Sequence, residues 1–134
     1  MNQKFILAFI LLFTLSVTNA TQFYLCRPEE PLPVPNVTID PDPLTVNTDT
    51  VFHVSGTLGS DLYGISIILE DANTQQIDYA SYDFFDNPYK AGSPFNFGLN
   101  YKIEKNLPSS YTIAVYFFDS EAAEIGCAAT FIGF

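Results

Sequence analysis

Phe95-Asn96-Phe97-Gly98-Leu99-Asn100-Tyr101-Lys102-Ile103-Glu104 alternates large apolar residues with small or polar ones without a break. Successive side chains of a strand point to opposite faces, whereas a helix repeats about every 3.6 residues, so this run dictates a half-buried β-strand. Phe95, Phe97, Leu99, Tyr101 and Ile103 share its inner face, and Asn96, Gly98, Asn100, Lys102 and Glu104 share the wet one. Outward from it, short β-branched and aromatic runs predict further strands over 50–58, 63–70, 76–85, 110–118 and 124–132. Turn chemistry separates them at Gly59-Ser60-Asp61, Asp71-Ala72-Asn73, Asp86-Asn87-Pro88, Asn106-Leu107-Pro108 and Asp119-Ser120-Glu121.

Two stretches depart from plain alternation. In the 110–118 run, Tyr111, Ile113, Val115 and Phe117 form one apolar face while Ala114, Tyr116 and Phe118 make the other apolar as well. Such a strand is either covered on both sides or meets a ligand or partner. Upstream, Phe23-Tyr24-Leu25-Cys26 leads into prolines at 28, 31, 33, 35, 41 and 43, which prevent helix and suit an edge strand with a bend. That strand brings the total to about seven, the pattern of an all-β sandwich or barrel. Asn36-Val37-Thr38 within it is a glycosylation sequon, with Asn36 as the acceptor.

Residues 1–20 have the grammar of a secretory signal: Lys4, an apolar run from Phe5 to Leu15, and Thr18-Asn19-Ala20 before the cut. Residues 21–134 then form one soluble domain. An oxidising destination allows Cys26 and Cys127, the only two cysteines, to pair and tie the domain at both ends. Loss of Lys4 with the signal takes the formal charge from −10 to −11, which disfavours nucleic acid and anionic membrane surfaces. The 13 Phe and 8 Tyr exclude a disordered acidic tail.

Little in the chain supports catalysis. His53 is the sole histidine and falls on the outer face of Val51-Phe52-His53-Val54, with no cysteine or second histidine at metal-ligand spacing. Most carboxylates, among them Asp61, Asp71, Asp86, Asp119 and Glu121, lie in turns as solvated charges. No serine sits in a Gly-x-Ser-x-Gly elbow, and no glycine-rich phosphate loop is present. The expectation is therefore a protein that is not an enzyme and uses no cofactor or metal. What remains is bulky inward surface, which either interdigitates into a solid core or stands apart around a cavity. An interaction module is the other class open to such a chain. It would bind a protein or glycan through exposed Tyr63, Tyr79, Tyr116 and Phe118, with no internal ligand.

Two blocks bring in a resemblance. Ile39-Asp40-Pro41-Asp42-Pro43 followed by Val51-Phe52-His53-Val54-Ser55-Gly56-Thr57-Leu58 is similar to the opening "I-x-P-x-P … G-T-L" of the ML lipid-recognition domain family. Leu107-Pro108-Ser109-Ser110-Tyr111-Thr112-Ile113-Ala114-Val115, then Asp119 and Glu124-Ile125-Gly126-Cys127, resembles that family's closing strands. The order matches especially its branch of secreted phosphatidylglycerol and phosphatidylinositol transfer proteins. Cys26 and Cys127 match the family's outer cysteine pair, but the inner pairs are missing: Ser93-Pro94 stands where Cys-Pro is usual, and Ser109-Ser110 replaces a glycine.

The resemblance implies an immunoglobulin-like β-sandwich of two antiparallel sheets that splay to hold a sterol or a phospholipid acyl chain. It implies a lining of Phe52, Val54, Ile65, Ile67, Tyr82, Phe84, Phe97, Leu99, Ile113, Val115 and Phe117. Tyr89, Pro94 and Phe95 would stand at the cavity mouth and touch a membrane transiently, and Lys90 would meet an anionic headgroup. The implied location is extracellular or the lumen of a secretory or lysosome-like compartment.

Overall fold

All six runs after residue 50 form strands in the computed structural model, which describes residues 20–27, 29 and 32–133. All but the last residue of the expected signal, with Pro28, Glu30, Pro31 and Phe134, lies outside the described residues. The strands are β1 (Tyr24–Leu25), β2 (Asn36–Asp40), β3 (Thr50–Gly56), β4 (Gly64–Asp71), β5 (Gln76–Asp83), β6 (Phe95–Tyr101), β7 (Tyr111–Phe118) and β8 (Glu124–Ile132). They make a five-stranded sheet in the order β1-β8-β7-β4-β5 and a three-stranded sheet in the order β2-β3-β6, antiparallel throughout. No helix occurs among the described residues.

The proline-rich segment corrects one expectation. It holds two strands, one in each sheet, so there are eight among the described residues. Tyr24 pairs with Ala129 of β8, whereas Val37 pairs with Val54 of β3. Pro33 and Pro35 lie between them and donate no backbone hydrogen bond, so the ladder stops and the chain crosses to the other layer. Pro33 still accepts at its carbonyl oxygen from the Cys127 N–H at 3.1 Å. The Cys26–Cys127 disulfide, with Cα atoms 5.9 Å apart, fastens this crossing to β8.

Period-two alternation holds where the sheets face each other. Phe52, Val54, Ile65, Ile67, Leu69, Leu99, Ile113, Val115 and Phe117 are all buried between the layers. The two-sided 110–118 run resolves by position. β7 is interior to its sheet, between β8 and β4, with Tyr111, Ile113, Val115 and Phe117 buried and Ala114, Tyr116 and Phe118 half-buried on the outside. His53 is exposed on the outer face of β3, opposite Gly98. A β-carbon at Gly98 would stand 2.8 Å from Val51 Cγ1, so a larger residue there would force the Val51 side chain to shift.

Two hairpins close with the same local chemistry. Asp71 Oδ1 accepts from the N–H groups of Asn73 and Gln75, and Asp119 Oδ1 accepts from those of Glu121 and Ala123, all at 2.9 Å. These side-chain bonds hold the turns that Thr74 and Ala122 complete at φ of 62° and 61°. Short turns of this kind set the β4–β5 and β7–β8 registers, and so decide which side chains face the core.

Candidate functional site

β5 and β6 are the free edges of the two sheets on one flank of the sandwich, and they share no backbone ladder. Side chains close the seam between them. Tyr82 Oη donates to the Asn100 carbonyl oxygen at 2.6 Å, and Tyr101 Oη donates to Asp78 Oδ2 at 2.6 Å. Lys105 Nζ stands 3.3 Å from Asp78 Oδ1. At one end of the seam an aromatic cluster takes over: Phe84 meets Phe97 at 5.2 Å between ring centres, and Tyr89 stacks on Phe97 at 4.7 Å and 14°. Beneath it Phe95 reaches across the layers to Phe117 at 6.0 Å.

Eight of the expected lining residues face each other in the core: Phe52, Val54, Ile65, Ile67, Leu99, Ile113, Val115 and Phe117. The other three, Tyr82, Phe84 and Phe97, are half-buried along the seam. At the expected mouth Tyr89 is half-buried and Pro94 exposed, but Phe95 is only 4% exposed and packs below the rim. Its position as the first residue of β6, with inward parity, explains the difference. Lys90 is exposed and faces Asp61, 3.5 Å away, rather than the seam. The Ala91 N–H and then Lys90 hold the Asp61 carboxyl below its ordinary range, against a smaller opposing effect of desolvation.

The seam groups perturb one another. Burial would push the Asp78 carboxyl up, but donors from Tyr101, Lys105 and the Tyr79 backbone outweigh it and hold the group below its ordinary value of 3.8. Burial, then the Asp78 carboxylate, pushes the Tyr101 hydroxyl far above its ordinary 10.0, and the same two causes raise Tyr82. Asp78 therefore adds stability that is present above pH 3.8 and lost as the pH falls through its depressed folded value. The tyrosines keep their protons in the fold while the unfolded chain releases them near pH 10.0, so stability falls as the pH rises beyond that. Urea midpoints across both limbs check this. Asp78→Asn should flatten the acid limb and Tyr101→Phe part of the alkaline one, and limbs unchanged by either substitution would remove the seam from the pH response.

Two solved structures share this architecture. Chicken MD-1 in complex with lipid IVa aligns with a TM-score of 0.56 and 14% identity, over 84% of this chain and 88% of its own. A Niemann-Pick type C2 protein from the Japanese carpenter ant gives 0.52 and 14%, over 81% and 96%. The fold is theirs. It is the immunoglobulin-like sandwich that the ML resemblance implied. No family model and no curated protein matches the chain.

Alternation and resemblance singled out neither Asp78 nor Lys105, and alternation gave Asn100 and Tyr101 a face but no part in a site. Tyr101 had the right parity, but a lone period-two pattern gives no sign that its hydroxyl would meet a carboxylate 23 residues upstream. Among the described residues, no group of three or more His, Cys, Asp or Glu side chains is placed to hold a metal ion.

Proposed function

We propose that this protein binds lipid, taking one hydrocarbon chain between its two sheets through the β5–β6 seam. The observation that carries this reading is that no backbone ladder joins β5 to β6, so along these strands the layers can part by moving side chains, while the Leu62–Tyr89 backbone bridge holds the loop at the aromatic end. The ML resemblance supports it, as does the shared fold with MD-1, whose structure was solved with lipid IVa.

Magnitudes set the kind of guest. The core side chains already meet across the layers, so a guest must displace them. Releasing two tyrosine hydrogen bonds and one ion pair costs roughly 3–5 kcal/mol, and each ring turned toward water about 1.5–3 kcal/mol more. Each buried methylene returns about 0.8 kcal/mol, so a long acyl chain or a sterol offsets the opening and a short chain does not.

On this reading the ligand is a sterol or a phospholipid, and the branch is that of the phosphatidylglycerol and phosphatidylinositol transfer proteins. Tyr89 and Pro94 touch the membrane transiently during uptake. The mature domain, residues 21–134, works outside the cell or in a lumen, where the disulfide persists and an Asn36 glycan projects from an exposed strand start. The task needs neither a catalytic group nor a cofactor.

Native mass spectrometry tests the proposal after incubation with phosphatidylcholine–phosphatidylglycerol vesicles or with cholesterol. One lipid per chain is expected, with palmitoyl species retained and octanoyl species not. Retention of neither lipid class would end the lipid reading.

A further inference from the structure

The outer face of the five-stranded sheet carries two grooves. Cross-strand register sets small residues side by side on its floor: Ser81 beside Ser66, and Ala114 beside Ala129. Rings stand at the margins, with Tyr79 50%, Phe85 61% and Phe131 65% exposed. Two grooves of about 270 and 300 Å³ lie on this floor, one over Ser66 and Ser81, the other over Ala114 and Ala129. They adjoin where Ser66 of β4 pairs with Tyr116 of β7.

The floor is polar as well as aromatic. Ser66, only 6% exposed, places Oγ 3.4 Å from the Tyr79 hydroxyl, and Ser81 stands exposed beside Ser66 on the neighbouring strand. Carboxylates rim both grooves, Asp83 at the first and Glu70 and Asp71 at the second, where Arg27 also stands, ion-paired with Glu124. Flat ring faces beside clustered hydroxyls and carboxylates complement a sugar, whose C–H faces pack on rings and whose hydroxyls both donate and accept. A hydrocarbon would strand these polar groups, an anionic ligand would meet the acidic rims, and a second copy would bring those rims together.

We propose that this face binds a neutral oligosaccharide laid across β5, β4, β7 and β8, with one groove for each of two adjacent sugar units. The first groove shares Tyr82 with the seam but opens on the outer side of the sheet, and the proposal does not rest on the lipid reading.

The test uses the intact disulfide-bonded protein, titrated with cellohexaose, laminarihexaose, chitohexaose and mannohexaose and followed by amide chemical shifts. At least one sugar should give saturable shifts at Ser66, Ser81, Ala114 and Ala129. Tyr79→Ala or Phe85→Ala, both at exposed rings, should weaken it by about tenfold, the effect of losing one aromatic contact. Tyr79→Phe keeps the ring and should lose less. Absence of shifts with all four sugars at millimolar concentration would overturn the proposal. So would the same shifts appearing on concentrating the protein alone, since they would mark self-association. A protein that retains lipid but no sugar overturns this inference and leaves the lipid reading standing.

Discussion

Replacing Cys26 and Cys127 together by serine should destabilise the fold by about 4–5 kcal/mol through loss of the bridge. The bridge closes a loop across 101 positions of sequence, and the chain-entropy cost of so long a loop falls on the unfolded state once the sulfurs are joined. A domain of this size has roughly 5–15 kcal/mol in total, so the variant should sit close to its unfolding threshold. Locally the loss falls on β1, which contributes two residues to the sheet and has the disulfide at its end. Urea unfolding of the oxidised protein and of the double variant measures the difference. A loss under about 2 kcal/mol would show that the unfolded chain gains little freedom, and that β1 and the Pro33–Cys127 hydrogen bond hold the crossing without the bridge.

Phe117→Ala should cost about 3–5 kcal/mol, through lost transfer energy and the hole left between the layers. Phe117 is fully buried on the inner face of β7 and is the ring that Phe95 meets from the opposite sheet. Its removal opens space beneath the Phe84–Tyr89–Phe97 cluster, where the proposed hydrocarbon would enter. The lipid reading therefore adds a second expectation. Cholesterol or palmitoyl phospholipid should raise the melting temperature of Phe117→Ala more than that of the parent, because binding to the folded state stabilises it by mass action. Differential scanning calorimetry with and without lipid separates the outcomes. Destabilisation without lipid rescue would mark Phe117 as core alone, and little destabilisation would mean that the layers collapse to fill the gap.

The inner faces were legible because alternation is a property of one strand at a time. Phe95 to Ile103 declare their parity without reference to any other part of the chain, and the buried residues of β6 follow it. Turn residues were equally local: Asp71 and Asp119 bond backbone groups within four positions. The proline-rich segment was less legible. Proline forbids helix and interrupts a ladder, but it does not say which sheet each fragment joins, so one bent edge strand was expected where two strands in two sheets occur. The resemblance implied a rim position for Phe95 while its parity pointed inward, and it packs as its parity requires.

The chain alone determined the six strands after residue 50, their wet and greasy faces and the tie between its two cysteines, since each follows from neighbouring residues or from the two cysteines being the sequence's only pair. Only the tertiary structure decided that Asp78 meets Tyr101 and Lys105 across the seam, that the rings of Phe84, Tyr89 and Phe97 close its end, and that small residues pave a trough outside β4 and β7. Those contacts join strands of different sheets or fix how side chains share one surface. They depend on how the layers stack, which no single strand's periodicity encodes.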